Sequence, residues 1–480
     1  FIYPFFFAQD GYRKVLEGIL DNHWWQLEIT SPWAVDPSEK SHSVEEERRH
    51  LRYFYPYVRE FFFPSSAFAN REELLNALSC FSPDKVYFKC PELPKTELQK
   101  FQELYQKNHD RESQLNLLMS WQVTRWRWNF EHYCAVPQQF GFYKRQVRFE
   151  KISLLLFPTG VGLLLLDVKP VEGVVSRRFS GRFAMLDDMP FGPKAARVEC
   201  PGGAERPLKE IIENNLLGFL PDGVRDRGSY VSGEAKLYQY HFCCVETKEE
   251  WDRLWEEQKS KFRVVPEGGE FQVGSVRGYF NKEEAFILAC SPQGGSPSWE
   301  DLKRYWRTFY FDIFLHAFYH RLSLLRFYVE LSRIDELLVH TDKVEKLHRR
   351  FLEFTNKAWF GHLTQAEYGN LIWRCCKQAM ETEQLYEEVK TQLQELDEYL
   401  ERKWWEQREK LVQLLSYIGF SLSFVVTLFS TNLVVVKGWR VSWWEALILI
   451  IGMGLVVSSA IWWYLRRSVE KKLSLSASGG

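Results

Sequence analysis

The sequence predicts an α+β cytosolic domain followed by a long helical stalk and a two-helix transmembrane hairpin. Three observations predict it. The first 291 residues mix turn-separated apolar runs with helical patterns, a long amphipathic stretch without Pro or Gly follows, and two charge-free runs lie near the C-terminus. The expected order is a mixed domain at 1–291, a helical region and stalk at 299–410, and a first span at 411–436. An outer loop at 437–445, a second span at 446–465 and a basic cytosolic tail at 466–480 complete it.

Composition narrows the function classes. The 480 residues carry 62 Lys and Arg against 63 Asp and Glu, a net charge of −1. No basic field is present, so no nucleic acid polymer is expected as a partner. The nine cysteines (80, 90, 134, 200, 243, 244, 290, 375 and 376) contain no Cys-x-x-Cys spacing. Reduced, mostly buried thiols are expected, as in cytosol. The apolar start Phe1–Ala8 lacks the basic flank and cleavage site of a signal peptide, so nothing in it is expected to send the large domain across a membrane, although residues upstream of Phe1 could.

Within that domain, Ile152–Phe157 and Val161–Val168 are apolar runs joined by Pro158-Thr159-Gly160, the chemistry of a hairpin turn. Tyr238–Val245 and Arg277–Ala289 read as further strands or short helices. Gly- and Pro-rich stretches at 201–207, 266–269 and 291–297 read as loops or boundaries. Ser298 with Asp301 opens an aromatic-rich helix over Trp299–Ile334, and Thr364 with Glu367 forms a second capping box that opens the helix leading to the stalk.

Leu385, Val389, Leu393, Leu396 and Leu400 recur at steps of four and three, with Glu, Lys and Gln on the other faces. No Pro or Gly interrupts Ala379–Ile418, so one helix is expected to run into the first span. Leu411–Val436 and Ala446–Leu465 then contain no charged residue, and a bilayer core takes about 20 helical residues. Trp404-Trp405, Trp439, Trp443-Trp444 and Trp462-Trp463 bracket both runs, as rings at headgroup level do. Arg402, Lys403, Arg408 and Lys410 precede the first run, and Arg466, Arg467, Lys471 and Lys472 follow the second. Only Lys437 and Arg440 lie between, so both termini are expected in the cytosol of a multi-pass inner-membrane protein.

In the first span Gln413, Ser416, Phe420, Ser423, Thr427 and Ser430 share one helical face. A polar stripe costs free energy against lipid, so it faces other helices or water, and in an oligomer it would line a pore. Close helix packing and back-bonding of Ser and Thr to the helix require the same residues.

Catalytic constellations are not apparent, and no enzyme is expected. Thr159-Gly160-Val161-Gly162 lacks the Lys-Ser/Thr of a phosphate-binding loop. Asp312, His316 and His320, at steps of four on one face, are geometrically able to hold a divalent ion, but no further ligand with metal-site spacing accompanies them. The same spacing suits partly buried histidines satisfied by neighbours. Glu381, Glu383, Glu387, Glu388, Glu395, Asp397 and Glu398 read as a solvated charged face.

A charged stalk, a first span, a short outer loop, a second span and a basic tail together resemble the CorA-type divalent-cation transporters, over about Thr364–Leu473. The segment Phe420–Asn432 is similar to the one that ends in that family's Gly-Met-Asn signature, with Ser430, Thr431 and Asn432 at the three positions. The resemblance implies a homopentamer in the lipid bilayer that conducts metal cations such as Mg2+, with gating by an ion or small ligand on the cytosolic domain through the stalk. It implies an Asn432 ring at the outer pore mouth and a pore face of Thr427, Ser423, Phe420 and Ser416, with Phe420 as a constriction. Ser430 and Thr431 depart from the signature. The outer loop carries Lys437 and Arg440 with no acidic residue before Glu445, which disfavours cation entry and puts magnesium selectivity in doubt. Leu156–Leu163 and Trp359-Phe360 are similar to the larger cytosolic domains of divergent bacterial members. Some of those look like CRISPR-associated defence effectors gated by signalling nucleotides, which supplies a second expectation: a membrane effector gated by a small signalling ligand.

Overall fold

A computed structural model describes residues 1–30, 51, 53–68, 70–88, 95–130, 139–142, 145–170, 197–199, 205–221, 237–261, 269–290, 299–332, 341–430, 448 and 452. The chain divides into two units, Phe1–Thr391 and Gln392–Gly480.

The first unit is organised around the hairpin that the Pro-Thr-Gly turn dictates. Gly160 takes φ +80°, a left-handed conformation that a side chain would strain, and reverses the chain between two long strands. Numbering the strands in chain order, β1 (Ile2–Phe6), β2 (Trp25–Ile29), β3 (Val86–Phe88), β4 (Thr124–Trp128), β5 (Gln139–Phe142), β6 (Arg145–Phe157) and β7 (Val161–Pro170) form a sheet. Its order is β1-β7-β6-β4-β2-β3, with β5 also on β6. Only β2 and β3 pair in parallel among these strands.

The near-continuous apolar runs of β6 and β7 reflect cover on both faces. On one face Ile152, Leu154, Leu156, Leu164 and Leu166 join a core with Val15, Leu16 and Ile19 of the helix Tyr12–Asp21, Leu74 and Leu78 of Arg71–Leu78, and Ile211 and Ile212. On the other, Phe157 stacks on Tyr319 at 4.0 Å. Tyr319 belongs to the helix Phe309–Ser332, which also serves a second sheet.

That sheet has the order β10-β13-β12-β11, built from β10 (Gln239–Val245), β11 (Glu270–Val273), β12 (Val276–Phe280) and β13 (Glu284–Cys290). The strands β8 (Arg197–Glu199) and β9 (Glu205–Pro207) pair separately. Trp251 and Trp255 of the helix Lys248–Lys261 cover one face. On the other, Phe280 stacks on Phe314, while Tyr238 packs against both Phe314 and Phe318. The helix Phe309–Ser332 is therefore apolar nearly all round because it is buried nearly all round.

Several expectations need revision. The aromatic helix expected over Trp299–Ile334 is two helices, Trp299–Arg307 and Phe309–Ser332, parted at Thr308, whose hydroxyl donates to the Arg304 carbonyl at 2.8 Å. Because the second of these is core to both sheets, the compact unit continues past residue 291 to Thr391. Thr364 does not cap the helix Glu367–Ala379 through Glu367. Its hydroxyl donates to the Tyr53 carbonyl at 2.6 Å and accepts from the Ala366 amide, and Ala366 is the residue at the cap. Nor does that helix become the stalk, because the chain turns at Glu381 and a new helix runs from Thr382 to Ser430.

Candidate functional site

The turn at Glu381 joins the folded unit to the stalk helix. Glu381 adopts φ +51° although it is not glycine, the only such residue among those described. A side chain there costs roughly 1–2 kcal/mol, so the surroundings must hold it. Arg321 Nη1 donates to the Met380 carbonyl at 2.5 Å, and Lys282 Nζ pairs with the Glu381 carboxylate at 2.5 Å. Lys377 pairs with Glu383 across the turn, and the buried Thr382 hydroxyl donates to the Lys377 carbonyl. The first turns of the stalk helix are then seated by rings: Tyr386 stacks on Trp359 at 4.5 Å and 12°, and on Phe351 at 5.7 Å. Val389 is fully buried.

Beside this joint lie two of the three residues weighed as metal ligands. Asp312, His316 and His320 do share one face of the helix Phe309–Ser332, and all three are buried. Asp312 is taken by Arg125 of β4, whose Nη2 lies 3.0 Å from its carboxylate and whose guanidinium stacks over Phe63. His316 and His320 sit with ring centroids 4.3 Å apart. Phe360 stacks on His316, Trp359 stacks on His320, and Trp373 contacts both. His320 Nε2 is 2.7 Å from the Ala358 carbonyl, which is also within reach of the His316 ring.

Burial disfavours the charged ring of either histidine. It pulls His320 down to about 3 and, with His320 as neighbour, holds His316 well below the usual range. These are fully buried histidines grouped around the Ala358 carbonyl, rather than the partly buried pair their spacing suggested. Among the described residues, no group of three or more His, Cys, Asp or Glu is placed to hold a metal ion.

At its other end the stalk helix carries the expected pore face. Gln413, Ser416, Phe420 and Ser423 are all exposed, as is every residue from 401 to 420. Thr427 and Ser430 lie on the helix, although their side chains are outside the described residues. Thr431, Asn432, Lys437 and Arg440 lie outside the described residues, as does the second expected span except Ile448 and Gly452. Among the described residues, no helix is long and apolar enough to cross a membrane. Over 411–420 the helix is nevertheless free of charge, and Leu415, Tyr417 and Phe420 are 64%, 55% and 74% exposed.

Sequence reading put Glu381 on a solvated charged face rather than at a turn, gave Trp359 no contact with the stalk helix, and missed Arg321 and Arg125. Ala379-Met380-Glu381-Thr382 contains no Gly or Pro to mark a turn. The arginines act across more than 50 residues of chain, a separation that no local pattern encodes.

Compared with known proteins, the chain matches no family model, no curated protein and no solved structure.

Proposed function

We propose that this protein is a CorA-like membrane ion channel that works as a homo-oligomer, with the folded unit at Phe1–Thr391 gating a pore through the stalk helix. The observation that carries the reading is the contrast between two helices of similar character. Phe309–Ser332 is apolar nearly all round and buried; residues 411–420 are apolar nearly all round and exposed on every side. Leaving a large apolar side chain in water forfeits about 1.5–3 kcal/mol, and seven occur in those ten positions (Leu411, Val412, Leu414, Leu415, Tyr417, Ile418 and Phe420). Lipid and neighbouring copies of the same helix supply the missing cover. The charge-free sequence that continues to Val436, the second such run and the flanking tryptophans fit the bilayer as that environment.

The polar stripe Gln413, Ser416, Ser423, Thr427, Ser430 and Asn432 then faces the axis, with Phe420 as a constriction that gates by dewetting. Lys437 and Arg440 at the outer mouth oppose cation entry, so the ion need not be magnesium. The strained joint at Glu381 and the stacked Trp359–Tyr386 pair give the folded unit a rigid hold on the first turns of the stalk.

The test is ion flux from liposomes containing the purified full-length protein, with its mass measured in detergent. Several copies per particle and a leak raised by Phe420→Ala are expected, with Asn432→Ala changing ion preference. A monomer in detergent, or flux unaltered by both substitutions, would refute the pore. Release of large dyes without ion preference would favour the membrane-effector reading instead.

A further inference from the structure

The joint at Glu381 is one residue wide. The helix Glu367–Ala379 ends at Met380, which keeps right-handed helical backbone (φ −94°, ψ 0°), and the stalk helix begins at Thr382. Glu381 alone, at φ +51°, is left-handed. We infer that this joint is a conformational switch: rotation of Glu381 to right-handed backbone fuses the two helices into one, continuous from Glu367 to Ser430.

The residues at the joint favour the fused form. From Asn370 to Ile418 there is no Gly or Pro, and Gln378, Ala379, Met380, Glu381 and Gln384 are all good helix formers. A helix that ends in a left-handed residue usually carries Gly or Asn there. Glutamate in that position opposes the bend and suits the helix. Nor does the exchange orphan a backbone group. The Glu381 amide, now on the Gln378 carbonyl, would pass to that of Lys377, which the Thr382 hydroxyl occupies in the bent form. The Met380 carbonyl would trade the Arg321 guanidinium for the Gln384 amide. Lys377, paired in the bent form with Glu383 six residues on, would instead meet Glu381 one turn on.

The bent form is held from outside the two helices. Arg321 of the helix Phe309–Ser332 donates to the Met380 carbonyl, and Lys282, between β12 and β13, pairs with the Glu381 carboxylate. Trp359 and Phe351 seat Tyr386, and Val389 is buried. Fusing the helices gives up these contacts, so the bent form is the resting one. A ligand or partner that competes for Trp359, Lys282 or Arg321 removes part of the hold and shifts the balance toward the straight helix. The switch belongs to the folded unit and stands whether or not the helix ends in a pore.

The experiment measures the distance between spin labels on encoded keto amino acids at Glu367 and Thr391, both exposed. It uses the full-length protein in detergent, diluted with unlabelled protein to suppress distances between copies. The 24 residues from 367 to 391 span roughly 36 Å between backbone positions in a straight helix at 1.5 Å per residue, and any bend at Glu381 shortens this. Wild type should give one shorter distance. Glu381→Ala with Arg321→Met should add a population at the straight-helix length. With Glu381→Gly in place of Glu381→Ala that population should fall at least roughly fivefold, because glycine accepts the left-handed turn and is the poorer helix former. The short distance alone in a folded Glu381→Ala/Arg321→Met protein overturns the switch, as does an equal long population with Glu381→Gly. If Arg321→Met does not fold, Tyr386→Ala takes its place and the same two results decide.

Discussion

The hairpin tip at Gly160 offers the sharpest test of how the folded unit is built. Gly160 and Gly274 both hold left-handed backbone, at φ +80° and +57°, yet their neighbourhoods differ completely. A methyl on Gly274 meets nothing within 4 Å, whereas one on Gly160 would overlap Arg326 Nη1 and come within 2.5 Å of the Phe7 carbonyl oxygen. Arg326 is buried, donates to the Thr159 carbonyl at 2.8 Å and pairs with Glu330, which in turn pairs with Arg350. Gly274→Ala should therefore cost only the conformational strain, about 1–2 kcal/mol. Gly160→Ala adds the displacement of a buried, hydrogen-bonded guanidinium, about 2–4 kcal/mol more, for a total near 3–6 kcal/mol. With roughly 2.1 cal/mol/K of unfolding entropy per residue, the unit Phe1–Thr391 shifts by about 1.2 °C per kcal/mol. Thermal unfolding should drop by roughly 1–2.5 °C for Gly274→Ala and 4–7 °C for Gly160→Ala. Adding Arg326→Ala to Gly160→Ala should cost less than the sum of the two, since one clash partner is gone. Equal shifts for the two glycines, or strict additivity of that pair, would refute the argument.

Other consequences are as direct. Arg125→Met leaves the buried Asp312 carboxylate without its cation and should destabilise the folded unit by about 3–5 kcal/mol, more than Arg125→Met combined with Asp312→Leu; chemical denaturation of the three proteins decides it. At the joint, Glu381→Gly relieves the left-handed strain at the loss of a half-exposed ion pair worth at most about 1 kcal/mol, so it should melt at or above the wild type. Glu381→Val should melt lower, and the opposite order would show that the turn is not strained. Burial pushes the Cys80 and Cys243 thiols up to about 11 and Cys376 well above its ordinary value, so iodoacetamide at pH 8 should label these three only after denaturation, as read by mass spectrometry.

The parts whose cause is local were legible in the residues alone. Pro158-Thr159-Gly160 between two apolar runs is a hairpin because that turn chemistry reverses the chain there, and the charge-free run after Lys410 reads as a largely apolar helix with one polar stripe, helical in the structure through Ser430. The step-four spacing of Asp312, His316 and His320 was equally legible, since a helix places them on one side. Where those faces point depends instead on partners far away in the chain. Spacing could not distinguish a metal triad from a buried pair, because Arg125, 187 residues away, takes the carboxylate and Ala358 orients one imidazole. Nor could helix propensity locate the turn at Glu381, where no Gly or Pro breaks the pattern. The backbone there is held left-handed by Arg321 and Lys282, side chains that reach it only once both sheets have closed around the helix Phe309–Ser332. Local rules fix an element's type and its faces; the partner that each face meets is a property of the assembled core, where contacts distant in sequence set the balance.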